Sequence, residues 1–161
     1  MSLYSVTHSI RIKAARKYIW EVLTSPDAGE LWRNAHFTTG WQVGDAIQIE
    51  AVIGTKRYRD KGRVVRNQPH SLLQYTYWSR VSGLPDVPES YSTITFSLTD
   101  EGTDTILTVE QLVPPSPVRR GKGWEIGEES GRKHVDFYWR TTLPVLKRVV
   151  EKPDSDCVQL K

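Results

Sequence analysis

An amphipathic stretch at the C-terminal end narrows the folds open to this chain more than anything else. At about 100° per residue from His134, the side chains of His134, Val135, Tyr138, Trp139, Leu143, Val145, Leu146, Val149 and Val150 fall within an arc of roughly 160°. Asp136, Arg140, Lys147 and Arg148 lie opposite. This is a long helix with one face to bury, and it needs a second layer to bury it against. Pro144 sits on the polar side and removes the bond to the Arg140 carbonyl, so a bend is expected there.

The preceding residues supply a sheet. In Ser5 to Lys13, Val6, His8, Ile10 and Ile12 share a face, as in a first strand. Ala15 to Thr24 switches to a helical period, with Ala15, Tyr18, Ile19, Val22 and Leu23 in one stripe. Ser25-Pro26-Asp27 reads as an N-cap, a first-turn proline and a first-turn acid, so a second short helix is expected over Asp27 to Arg33. From Gly40 onward the pattern is β. Ile47, Ile49, Ala51 and Ile53 alternate along one strand, and Tyr58 to Arg66 follows after Gly54-Thr55. Asn67-Gln68-Pro69-His70 makes a turn into Leu72 to Trp78. Tyr91 to Leu98 and Thr105 to Val113 follow, joined at Asp100-Glu101-Gly102-Thr103. Period-2 runs in series with short turns argue an antiparallel meander. Residues 114 to 131, with Pro114, Pro115, Pro117 and four glycines, read as loop. The fold class is therefore α+β: an antiparallel sheet of about six strands, two short helices after the first strand, and a long C-terminal helix as the cover.

Length and charge close off other classes. The chain of 161 residues suits one domain, drawn here over residues 4–152, with 153–161 as a C-terminal tail that frays. A net charge of +3 does not point to nucleic acid. No apolar run reaches the ~18 residues of a membrane span, and the lone Cys157 permits no intramolecular disulfide, which fits a reducing cytoplasm. Six Trp and seven Tyr against three Phe favour side chains with an apolar body and a polar tip, suited to cavity walls and interfaces.

Several segments, taken in order, resemble the activator-of-heat-shock-protein-90-ATPase-like branch of the START-related, polyketide-cyclase-like superfamily. They are Ala15 to Pro26 (with Ile19, Trp20, Leu23, Thr24 and Pro26), Trp41-Gln42-Val43-Gly44, Lys61-Gly62-Arg63-Val64, Pro69 to Tyr75, Pro88 to Phe96 and Thr105 to Val109. They span roughly residues 5 to 113, and the terminal helix matches in kind. The resemblance implies a helix-grip fold, a curved sheet wrapped around the long helix with an internal cavity for a small apolar molecule. It implies no shared reaction, since members carry lipids, sense stress, cyclise polyketides or assist a chaperone. One stretch departs from the family pattern. The segment before the last helix is long, basic at Arg119-Arg120-Lys122 and then acidic at Glu125, Glu128 and Glu129. A lid or rim insertion is expected there.

Chemistry-bearing motifs are sparse. His8, His36, His70 and His134 are scattered, without metal-ligand spacing, and neither a cofactor nor a metal is expected. No Gly-x-Ser-x-Gly or phosphate-binding loop occurs, and Cys157 lies in the tail. Acid–base chemistry in an apolar cavity needs only one or two buried polar groups, and Tyr58, Tyr75, Tyr77 and Gln111 face inward on the expected register while Glu110 faces out. Lys56, Arg57, Arg59, Lys61, Arg63 and Arg66 fall within eleven residues, and Arg57, Arg59, Lys61 and Arg63 share one strand face, read as a solvated outer surface that discourages edge pairing in preference to a dock for an acidic partner or nucleic acid. Phe137 falls off the buried arc, as a homodimer contact or packing under the loop would require.

The residues favour binding over catalysis. The expected cavity is lined by Ile49, Tyr58, Tyr75, Tyr77, Phe96, Val109, Gln111, His134, Tyr138, Thr142 and Leu146. It would hold a small apolar or aromatic molecule, as a carrier or stress-related sensor. The alternatives are a co-chaperone-like interaction domain with a packed interior, and a cyclase- or hydrolase-like enzyme. Cavity volume separates the first two, because a ligand site needs roughly 300 Å³ or more.

Overall fold

A computed structural model describes residues 3–152. Strand β1 (Tyr4–Ile12) leads into helices α1 (Arg16–Thr24) and α2 (Pro26–Arg33). Ser25 caps α2: its Oγ accepts the Ala28 N–H at 3.2 Å, Pro26 occupies the first turn and Asp27 places an acid there. Asn34, at φ 52°, ends α2 in the left-handed region that asparagine tolerates.

Six strands follow in meander order: β2 (Ala35–Thr38), β3 (Ala46–Ile53), β4 (Lys56–Gln68), β5 (Leu72–Trp78), β6 (Ser92–Glu101) and β7 (Asp104–Val113). The main sheet has seven strands in the order β1-β7-β6-β5-β4-β3-β2, antiparallel throughout. The expectation of about six strands thus becomes seven. β2 is only four residues long, too short for alternation to register in the sequence, yet it buries Ala35 and Phe37 on the core face. Two further three-residue strands, β8 (Arg119–Gly121) and β9 (Trp124–Ile126), pair as a hairpin inside the segment read as loop. Helix α3 (Ser130–Val150) completes the order, a single helix with Pro144 inside it.

Side-chain alternation sets the two faces. Ile47, Ile49, Val64, Leu73, Tyr75, Ile94, Phe96, Leu98, Leu107 and Val109 point to the core, while Arg57, Arg59, Lys61 and Arg63 stand exposed on the other face. Gly62 has a specific steric reason: a Cβ there would overlap the Thr76 carbonyl oxygen of β5. A register shift between Val64 and Arg66 bends β4 beyond that point.

Helix α3 packs against β1 and β7 on the core face, and α2 packs alongside it. Trp139, Leu143 and Leu146 are fully buried. The Trp139 ring meets Phe96 edge-on at 5.6 Å and Trp32 of α2 at 6.5 Å, so one aromatic joins both helices to the sheet. This is the helix-grip arrangement. No helix among the described residues is long and apolar enough to cross a membrane. The 153–161 tail and Cys157 lie outside the described residues.

Candidate functional site

The C-terminal part of α3, from Trp139 to Leu146, lies directly on the sheet. Its first turns meet only the β1 side, where His8 bonds Asp136 at 2.8 Å. Between His134, Val135 and Tyr138 and the strands β2 to β5 a cavity of about 710 Å³ is left open. The wall is mostly apolar: Ala35, Phe37, Ile49, Ala51 and Ile94 from the sheet, with Val135 and Trp139 from the helix. The mouth is rimmed by Val52, Val81, Leu84, Pro117, Arg119 and Ile126. The segment of residues 114–131 therefore contributes to the rim, through Pro114, Ser116, Pro117, Arg119 and Ile126. Val52, Val81 and Ile126 are exposed, so the entrance is apolar as well.

Seven of the expected site residues stand on this wall: Ile49, Tyr58, Tyr75, Tyr77, Gln111, His134 and Tyr138. His134 sits at the solvent edge. Phe96, Val109, Thr142 and Leu146 do not reach the cavity. They are buried in the layer where the helix contacts the sheet, because α3 closes onto the sheet at Trp139 and leaves space only on its N-terminal side.

The polar groups on the wall differ in how fully they are used. Gln111 accepts the Trp139 indole N–H at 2.8 Å. The Tyr77 hydroxyl donates to Asp60 Oδ2 at 2.9 Å, and Asp60 Oδ1 accepts the Arg80 backbone N–H at 3.2 Å. Burial, then the Asp60 charge and hydrogen bond, push the Tyr77 hydroxyl far above its usual pKa. Burial also raises Tyr75 and Tyr138, the latter to about 12, with the Arg33 cation opposing in both cases. All three tyrosines are therefore neutral hydrogen-bonding groups at physiological pH.

Arg33 and Asp60, both buried and both on the wall, were not anticipated. Asp60 carried a readable signal. It is the lone acid in a run of six cations, and on the parity of Tyr58, Gly62 and Val64 it must face inward. Arg33 carried none: a basic residue in the last turn of a helix is ordinarily a solvated partner for the helix dipole.

Outside the cavity, the basic strand face is partly engaged. Lys61 pairs with Asp86, and Arg63 Nη1 donates to the Gly44 carbonyl at 2.7 Å. Phe137 is 55% exposed, with the Arg140 guanidinium 5.7 Å over its ring.

The chain as a whole has relatives among known proteins. The family described as Activator of Hsp90 ATPase homolog 1-like protein matches residues 13–151. No curated protein matches the chain. Among solved structures, ChR145 from Cytophaga hutchinsonii is similar at 26% identity and TM-score 0.71, covering 94% of this chain and 97% of that one. CalU16 from Micromonospora echinospora aligns at 18% identity and TM-score 0.67, covering 97% of this chain and 81% of its own. A structure described as the Aha1 dimer from Colwellia psychrerythraea aligns at 19% identity and TM-score 0.65, covering 92% and 96%. The last two likenesses show the fold alone. With the family match spanning nearly the whole described region, this chain belongs to the Activator of Hsp90 ATPase homolog 1-like protein family.

Proposed function

We propose that this chain binds a small, mainly apolar or aromatic molecule between α3 and the sheet, as a cytoplasmic carrier or stress-related sensor, with residues 4–152 acting as one unit. The cavity itself carries the reading. About 710 Å³ lies well within the range of small-molecule sites and is far more than a packing defect leaves. A cavity of this size supports that reading over an interaction domain with a packed interior.

The wall explains how such a ligand would be held. Ile49, Ile94 and Val135 offer apolar area, and burying it would drive association. Tyr75 and Tyr138 offer aromatic faces together with neutral hydroxyls that fix orientation. Tyr58 of β4 and Tyr77 of β5 extend the wall, and exposed His134 marks the edge. Phe96, Val109, Thr142 and Leu146 lie behind the wall, in the packed layer between helix and sheet. Gln111 is already committed to Trp139 and Tyr77 to Asp60, which favours passive binding over catalysis.

Fluorescence titration with N-phenyl-1-naphthylamine, an uncharged apolar probe, tests this reading. Saturable binding at one site per chain is expected. A fluorescence signal that never saturates, or none at all, would count against a ligand cavity.

A further inference from the structure

We infer that the molecule bound in this cavity is a monoanionic acid, most simply a carboxylic acid on an apolar or aromatic body, and that Arg33 receives its charged group. This rests on the cavity-binding reading above and specifies its ligand class.

Arg33 is the last residue of α2, is only 6% exposed and forms part of the cavity wall. Its Nη2 lies 3.4 Å from the Leu23 carbonyl oxygen, a long and weak contact. Nε and Nη1 have no partner, so three N–H donors of a buried cation are unspent. Among the described residues no carboxylate pairs with it. The groups that act on it are the Tyr75 and Tyr138 hydroxyls, which are neutral at physiological pH. Buried charges are ordinarily paired, because removing an unpaired ion from water is costly.

The surroundings hold the guanidinium in place without neutralising it. It stacks 3.5 Å over the Phe37 ring and 4.6 Å from Trp32, both buried. Gly29 of α2 leaves the space it occupies: a Cβ there would come within 3.3 Å of Arg33 Nε and 2.9 Å of the Ala35 carbonyl oxygen. The other buried charge on the wall, Asp60, already has a donor on each oxygen, from Tyr77 and Arg80. Arg33 is thus the one buried charge on the wall, among the described residues, with donors left unspent. One cation in an apolar chamber matches one negative charge, and the neighbouring Tyr75 and Tyr138 hydroxyls can donate to the same anion.

Calorimetric titration with 2-naphthoate and its neutral isostere 2-naphthamide, at pH 7, tests the inference. The wild-type protein is expected to bind naphthoate at least about tenfold more tightly. R33M is expected to lose that preference while still binding naphthamide, and R33K to recover part of it. Should R33M fail to fold, the wild-type protein alone decides. Its preference must vanish as pH falls below the carboxylic acid range, roughly pH 4. Equal affinities for the two probes in the wild-type protein would overturn the role of Arg33 and leave the cavity reading standing. Binding of neither probe would overturn both.

Discussion

The indole Nε1 of Trp139 donates to Oε1 of Gln111 at 2.8 Å, a buried bond that ties α3 to β7 at the boundary between packed core and open cavity. On one side of it the helix lies on the sheet; on the other it stands away. Replacing Gln111 with leucine strands the indole N–H in an apolar site. Q111L is therefore expected to lose about 1–3 kcal/mol, the cost of one buried unsatisfied donor. Urea unfolding would show a lower midpoint at unchanged slope. A neutral result would mean that the bond does not anchor the helix.

Ala51 lines the cavity from β3, where it pairs in register with Tyr58 of β4. A phenylalanine there grows into empty space instead of into the core. A51F should weaken N-phenyl-1-naphthylamine binding at least about tenfold while changing Tm by no more than a few degrees. Retained affinity in a folded A51F would place the probe elsewhere on the protein.

At Gly62 the sheet is too close for any side chain, since a Cβ would overlap the Thr76 carbonyl oxygen of the adjacent strand. G62A is expected to cost roughly 2 kcal/mol or more, because the β4–β5 ladder must shift to admit a methyl group. Thermal unfolding by circular dichroism measures this. An exposed glycine elsewhere, Gly102 to alanine, makes a useful contrast: nothing crowds it, and only its φ of 64° resists the change.

Glu151 closes the far end of α3. Its Oε2 accepts the Lys13 backbone N–H at 2.7 Å and pairs with Lys147 Nζ at 2.6 Å. Burial alone would raise its pKa, but the Lys13 and Lys147 contacts outweigh it and hold the carboxyl below the ordinary value of 4.5. A depressed native pKa stabilises the fold above the unfolded value, and this contribution is lost as pH falls through the native one. E151Q should therefore be less stable than wild type at pH 7, by about 1 kcal/mol, with the gap narrowing as pH falls below the ordinary carboxylate range. A stability gap that does not narrow on acidification would contradict the assignment.

Most of the fold was legible because its elements are long and periodic. The α3 stripe from Val135 to Val150, the Ser25-Pro26-Asp27 helix start and the alternation through β3 to β7 each carry their own local signal. β2 was missed because Ala35–Thr38 has only two inward positions, and β8–β9 because three-residue strands between glycines look like loop. The inward tyrosines of the site followed from strand parity. What parity does not reveal is where the helix lifts off the sheet. For that reason Phe96, Val109, Thr142 and Leu146, all on the correct face, lie in packed core instead of on the cavity wall. Arg33 was invisible for a different reason: its burial comes from α2 folding back on β2, where Phe37 covers the guanidinium, a tertiary event that the sequence of α2 does not encode.

A binding site in use should be occupied in the cell. Native mass spectrometry of the untagged protein purified from its own host, with a denatured control, tests it most directly. A discrete small-molecule mass, of an acid carrying one negative charge, is expected to depart on denaturation. A bare protein mass under conditions that preserve the fold, or a stable complex with a second chain and nothing in the cavity, would contradict it.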